Sequence, residues 1–114
     1  MSSQPVPLSP ACFHILLSLA GGERPGYAIK REVALRTGGK LKLGPGVLYG
    51  SISKMLEQGL IEESGDRPDP HLDDERRRYY RLTAQGRLAA QAEAARMREL
   101  VDLAAARLGA ADPA

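Results

Sequence analysis

A chain of 114 residues with 43% hydrophobic content holds enough apolar material for one core, and so for one compact domain with an appended element. A net charge of +2, a lone Cys12 and no tryptophan exclude an internal disulfide and a cysteine-rich metal site, and leave few aromatic residues for a stacking pocket. No apolar run approaches the roughly eighteen residues of a membrane span, and no charged-then-hydrophobic leader is present, so a soluble, cytoplasmic protein is expected.

In chain order, residues 1–7 read as a flexible lead-in. Ser9 is a good N-cap with Pro10 at the first helical position, and Leu8 is placed to staple against Phe13. Phe13, Leu16, Leu17 and Ala20 then mark a buried stripe, with Ile15 and Leu19 on the far side, before Gly21 and Gly22 end the first helix. His14 lies off that stripe with no partner His or Cys nearby and reads as a surface residue. A second helix is expected from Pro25 to about Thr37, stopped by Gly38 and Gly39. Ile29 and Val33 are its core positions, Tyr27 and Ala34 lie alongside, and Lys30, Arg31 and Arg36 occupy other faces. Residues 40–43 alternate polar and apolar, which predicts a brief strand.

Residues 43–61 form the stretch around which the chain is organised. Pro45 suits a first helical turn because its missing N–H would be an orphan there, and Gly59 suits the left-handed residue after the last turn. Leu48, Ile52, Met55 and Leu56 gather into one apolar stripe. The opposite face carries Gly46, Gly50, Ser53, Lys54 and Glu57, with Tyr49 on its flank. A glycine inside a helix costs roughly 0.8 to 1 kcal/mol against alanine, so a pair one turn apart points to something that must approach the backbone, such as DNA. The alternatives are a neighbouring helix packed tightly on them, or unselected surface positions. Three short helices with a turn before the third make a helix-turn-helix.

Beyond Gly59, residues 60–64 and 78–82 predict paired strands, with Tyr80 and Leu82 on one side and Tyr79 and Arg81 on the other. Pro68 and Pro70 exclude a regular ladder between them, leaving a long hairpin tip in which His71 is an exposed loop residue. Charge is uneven along this part of the chain. Residues 24–54 hold seven cations (Arg24, Lys30, Arg31, Arg36, Lys40, Lys42, Lys54) against one acid, Glu32. Residues 55–75 hold eight acids against Arg67 alone, and Arg76, Arg77, Arg78 and Arg81 follow without an acid among them. Basic segments on both sides of the third helix are what a phosphate-binding face requires, although any single charge run is ordinarily a solvated face. Asp73, Asp74 and Glu75, flanked by Arg76, read as local ion pairs rather than a cation site.

The last segment runs from Thr83, an N-cap, to about Leu108 and would span roughly 39 Å, too long for so small a domain to cover. Ala90, Ala94, Met97, Val101, Ala104 and Leu108 form one stripe, widened by Leu100 and Leu103. Such a stripe asks for a second chain, and the alternative is a helix folded back on its own domain. No phosphate-cradling glycine loop, HExxH helix, CxxC pair or nucleophile elbow is present, so no enzyme, cofactor or metal is expected.

Gly46, Val47, Leu48 and Tyr49, followed by Ile52, Met55, Leu56 and Gly59-Leu60-Ile61, resemble the recognition helix of the PadR family of bacterial winged-helix transcription regulators. Gly26-Tyr27 with Ile29 fits the same family, as do residues 77–83 with Gly86. The resemblance covers residues 8 to about 88. At one position, Val47, the family usually has Thr or Ser, so a hydroxyl is missing from that face. The resemblance implies a mainly α (α+β) fold, a winged helix-turn-helix with a long C-terminal dimerisation helix. The division is a lead-in over 1–7, a DNA-binding domain over 8–82, a dimerisation helix over 83–108 and a flexible tail over 109–114. It also implies dimerisation through the C-terminal helices, and a single such helix places the chain with the shorter members. The function expected is a DNA-binding transcriptional regulator, more often a repressor, acting as a homodimer on an inverted-repeat operator in double-stranded DNA. Gly46, Tyr49, Gly50, Ser53 and Lys54 would approach bases and phosphates, Lys40 and Lys42 would hold the backbone before the helix, and Arg76, Arg77 and Arg78 would reach from the wing. Any small-molecule inducer would sit between the C-terminal helices and the DNA-binding domains. The competing class is a winged helix used as a protein-interaction module without DNA binding.

Overall fold

The computed structural model describes residues 8–66 and 78–109. Its elements in order are α1 (Pro10–Ala20), β1 (Arg24–Pro25), α2 (Gly26–Arg36), α3 (Pro45–Glu57), β2 (Ile61–Asp66), β3 (Arg78–Leu82) and α4 (Ala84–Leu108). The lead-in, the tail from residue 110 and the hairpin tip with Pro68, Pro70, His71, Asp73, Asp74, Glu75, Arg76 and Arg77 lie outside the described residues.

α1 starts where its cap says: Ser9 Oγ accepts the Cys12 N–H at 3.1 Å, with Pro10 in the first turn. Its buried face is not the expected one. Cys12, Ile15, Leu16 and Leu19 are buried, whereas Phe13 is half-buried, Leu17 is 39% exposed and Ala20 lies outside. The helix is apolar around most of its circumference, so spacing alone permits several stripes. The rotation is fixed instead from the α2 side, where buried Ser18 accepts from Arg36 Nη2 at 3.0 Å and its carbonyl accepts from Arg24 Nε at 3.0 Å.

α2 buries Ile29 and Val33 as expected and ends before Gly38 and Gly39, both at positive φ. The strand expected at residues 40–43 does not form. Thr37 Oγ1 accepts the Leu41 N–H at 3.0 Å and so takes a donor a ladder would need, while Leu43 plunges into the core. The third strand of the sheet is instead β1, pairing Arg24 with Tyr80 and Pro25 with Tyr79 in the order β1-β3-β2. Two residues are too few to show a period in sequence.

α3 carries both marks read from the chain. Pro45 is in its first turn, and at its end the Leu60 N–H reaches the Met55 carbonyl (2.9 Å) and the Gly59 N–H the Leu56 carbonyl (3.2 Å), with Gly59 at φ +74°. This double closure turns the chain directly into β2. Leu48, Ile52 and Met55 are buried and Leu56 is half-buried. β2 pairs antiparallel with β3, Ile61 opposite Leu82, with a bulge between Glu63 and Gly65 that leaves Ser64 as the extra residue. Tyr80 faces the core, and Arg81 faces out to pair with Glu62 across the ladder at 2.7 Å.

α4 is seated at its start and released at its end. Thr83 Oγ1 accepts the Gly86 N–H (2.9 Å) and donates to the Gly59 carbonyl (2.6 Å), joining the helix to the end of α3. Gly86 is buried so closely that an added Cβ would lie 1.9 Å from the Leu60 carbonyl oxygen. Farther along, buried Glu93 accepts the Leu8 N–H at 3.1 Å and pairs with Arg96, which ties the start of α1 to α4. Every residue from 98 to 109 is exposed.

Candidate nucleic-acid interface

The same stripe that drives Leu48, Ile52 and Met55 into the core turns Gly46, Val47, Gly50, Ser53, Lys54 and Glu57 outward, and all six are exposed. A Cβ built at Gly46 or Gly50 would meet nothing within 4 Å. Among the described residues no helix packs on these glycines, so close packing against a described helix of the protomer does not account for them. The result is a shallow notch in a convex helix face. Tyr49 lies at the edge, half-buried, and its ring covers Gly26, where an added Cβ would lie 2.9 Å from the phenol oxygen. Part of Tyr49 therefore holds α3 against the start of α2 rather than facing solvent.

The cations divide into two groups. Glu32 binds Arg24 (2.9 Å) and Arg36 (2.7 Å), Glu62 binds Arg81, and Glu93 binds Arg96. Arg36 also reaches His14 Nδ1 at 3.2 Å, so half-buried His14 belongs to the α1–α2 contact. Two of the seven cations counted between residues 24 and 54, Arg24 and Arg36, are thus used inside the fold. Lys30, Arg31, Lys40, Lys42, Lys54 and Arg78 are exposed and take no ion pair among the described residues. Lys40 and Lys42 lie on the connection into α3, Lys54 on its outer face, and Arg78 at the start of β3.

Sequence reasoning missed Glu93. A glutamate between Gly86, Ala90 and Met97 on one helix face, with Arg96 three residues on, is the pattern that marks a paired buried carboxylate. The Arg96 guanidinium and the Leu8 N–H hold its carboxyl below the ordinary glutamate range, against the opposing effect of burial. Along α4, Ala90 and Met97 are half-buried. Ala94 and Ala104 are exposed, as are Leu100 (54%), Val101 (65%), Leu103 (45%) and Leu108 (83%). An apolar row of that kind left open to water is the feature expected of a face awaiting a partner. No helix among the described residues is long and apolar enough to cross a membrane.

A known family model, described as the transcriptional regulator PadR-like family, matches residues 15–92, more than half of the chain, from within α1 through the helix-turn-helix and the two strands to the first turns of α4. The chain belongs to the PadR-like family of transcriptional regulators. Solved structures agree in fold. A PadR family transcription regulator from Clostridium difficile is 22% identical with a TM-score of 0.71, over 89% of this chain and 100% of that one. RosR of H. salinarum is 28% identical with a TM-score of 0.58, over 92% of this chain and 82% of its own. A probable transcriptional regulator from Pseudomonas aeruginosa is 28% identical with a TM-score of 0.63, over 89% and 67%. No curated protein matches in sequence. The PadR-like family and the Clostridium difficile and Pseudomonas aeruginosa proteins are described as regulators of transcription rather than enzymes, and transcription regulation implies DNA binding, so the open face of α3 is the surface to read.

Proposed function

We propose that this PadR-like protein is a transcriptional repressor that works as a homodimer, with its two α3 helices in successive major grooves of an inverted-repeat operator. The observation that carries the reading is the outer face of α3, where Gly46 and Gly50 stand open beside exposed Ser53 and Lys54 while the opposite stripe is buried. The notch lets the helix backbone approach base edges. Ser53 and Lys54 supply hydrogen bonds there, with half-buried Tyr49 at the rim. Lys40 and Lys42 would meet phosphates ahead of the helix, and Arg78, with Arg76 and Arg77, phosphates or the minor groove beside the wing. Residues 8–82 form the DNA-binding unit in this reading and residues 83–108 the pairing helix, through Ala94, Leu100, Val101, Leu103, Ala104 and Leu108, whereas Ala90 and Met97 lie with buried Glu93 on the side turned to the domain. A dimer seated on a promoter excludes polymerase, hence repression, and the place of action is the cytoplasm.

The test is a fluorescence-anisotropy titration against DNA upstream of the protein's own gene, with a random duplex as control, at several salt concentrations. Neutralising about four to six phosphates per subunit makes log K fall by about 0.9 per phosphate per decade of salt. Tight binding of the upstream DNA with that steep dependence is the expected result. Failure to bind any duplex at low salt would instead favour a protein-interaction module.

A further inference from the structure

The outward face of α2 and the approach to α3 border an open cleft of about 320 Å³. Its apolar lining comes from Tyr27, Ala34 and Leu43 and its charged lining from Lys30, Arg31 and Lys42, with Gly44 at the end next to α3. Tyr27, Lys30, Arg31 and Ala34 recur at helical spacing, so they share one face of α2, distinct from the core positions Ile29 and Val33. No carboxylate among the described residues lines the cleft. The one acid of α2, Glu32, is already engaged by Arg24 and Arg36. Three cations around one cavity, none in an ion pair among the described residues, repel one another until an anion joins them. An apolar floor strengthens that attraction, because an anion held there sheds part of its water.

We propose that this cleft seats a backbone phosphate of the DNA strand bordering the groove that α3 enters. This rests on the DNA-binding reading and extends it, because it brings Tyr27, Lys30 and Arg31 of α2 into an interface otherwise made by α3 and the wing. Position favours a phosphodiester over a free anion. Gly44 is the residue before the first turn of α3, and a Cβ there would meet nothing within 4 Å, so a strand flanking the helix passes the mouth of the cleft unobstructed. A helix that crosses the backbone while its successor lies in the groove is the arrangement in which such a seat is used. Lys42, from the connection into α3, closes on the same phosphate.

The experiment uses the full chain with Lys30→Ala, Arg31→Ala and Lys42→Gln, each exposed in the free protein and checked by thermal melting. Affinity is measured over a salt series for the upstream DNA and a random duplex, and ethylation interference maps the phosphates contacted. Each substitution is expected to weaken both duplexes alike, on the order of tenfold, and to reduce the salt slope by about one per half-site. One phosphate per half-site should also drop out of the interference pattern. A steep wild-type slope that all three variants retain would overturn the cleft and leave the DNA reading intact, whereas a flat wild-type slope would remove both. Titration with inorganic phosphate supplies a further arm. Phosphate binding that is lost in Arg31→Ala, with DNA binding unchanged, would show a free-anion site and contradict the proposal.

Discussion

The pair Gly46 and Gly50 and the pair Gly26 and Gly86 are glycines for opposite reasons. At Gly46 and Gly50 no described residue would touch an added Cβ, so alanine there should raise stability by about 0.5 to 1 kcal/mol per site through helix propensity. DNA affinity should fall at the same time. Urea denaturation and anisotropy on the same variants check this pair of outcomes, and equal affinity would show that the notch has no use. At Gly26 the obstacle is the Tyr49 ring, a side chain that can shift, whereas at Gly86 it is the Leu60 carbonyl, which cannot. Gly26→Ala should therefore cost about 1 to 3 kcal/mol, and Gly86→Ala more, to the point of lowering the yield of folded protein. The open pair was legible in sequence because a glycine inside a marked helix is costly wherever it occurs. The reason for Gly86 was not, since the carbonyl it accommodates lies 26 residues earlier in the chain.

Elements were legible where their signals are local. Pro45 and Gly59 mark the ends of α3 within their own turns, and Ser9 and Thr83 cap α1 and α4 by reaching three residues forward. Readings that depended on side-chain contacts beyond the helix caps failed, whether the partner was distant or, as for Thr37, only four residues away. The rotation of α1 is set by Ser18 meeting Arg24 and Arg36, the short strand β1 exists only because β3 lies beside it, and residues 40–43 are diverted by Thr37. The Glu93 tie between α1 and α4 belongs to the same class and has a pH signature. With its carboxyl held below the ordinary 4.5, Glu93 contributes stability that is complete above that value and is lost as pH falls through its lower folded-state value. Denaturation midpoints should drop on acidification from about pH 5 downward, and Glu93→Gln should flatten that dependence while lowering stability at neutral pH. Identical acid profiles for the two proteins would show that the tie contributes nothing.

At the scale of the whole molecule, the seat of α4 on the domain ends near Met97, and the remaining turns hold Leu100, Val101, Leu103 and Leu108 in water. A helix of 25 residues reaches about 37 Å, enough to hold two DNA-binding units apart while its outer half packs on a second copy. Leu100→Glu with Val101→Glu should give a folded monomer by sedimentation equilibrium and reduce operator affinity by at least about a hundredfold, since each half-site is then bound alone. The pairing distance and the notch of α3 meet in one observable. Hydroxyl-radical footprinting of the dimer on DNA upstream of its gene reads both at once. The expected result is two protected patches per strand on one face of the duplex, centred about one helical turn, or ~34 Å, apart and related by an inverted repeat. A single patch, or protection that follows no symmetry, would contradict it.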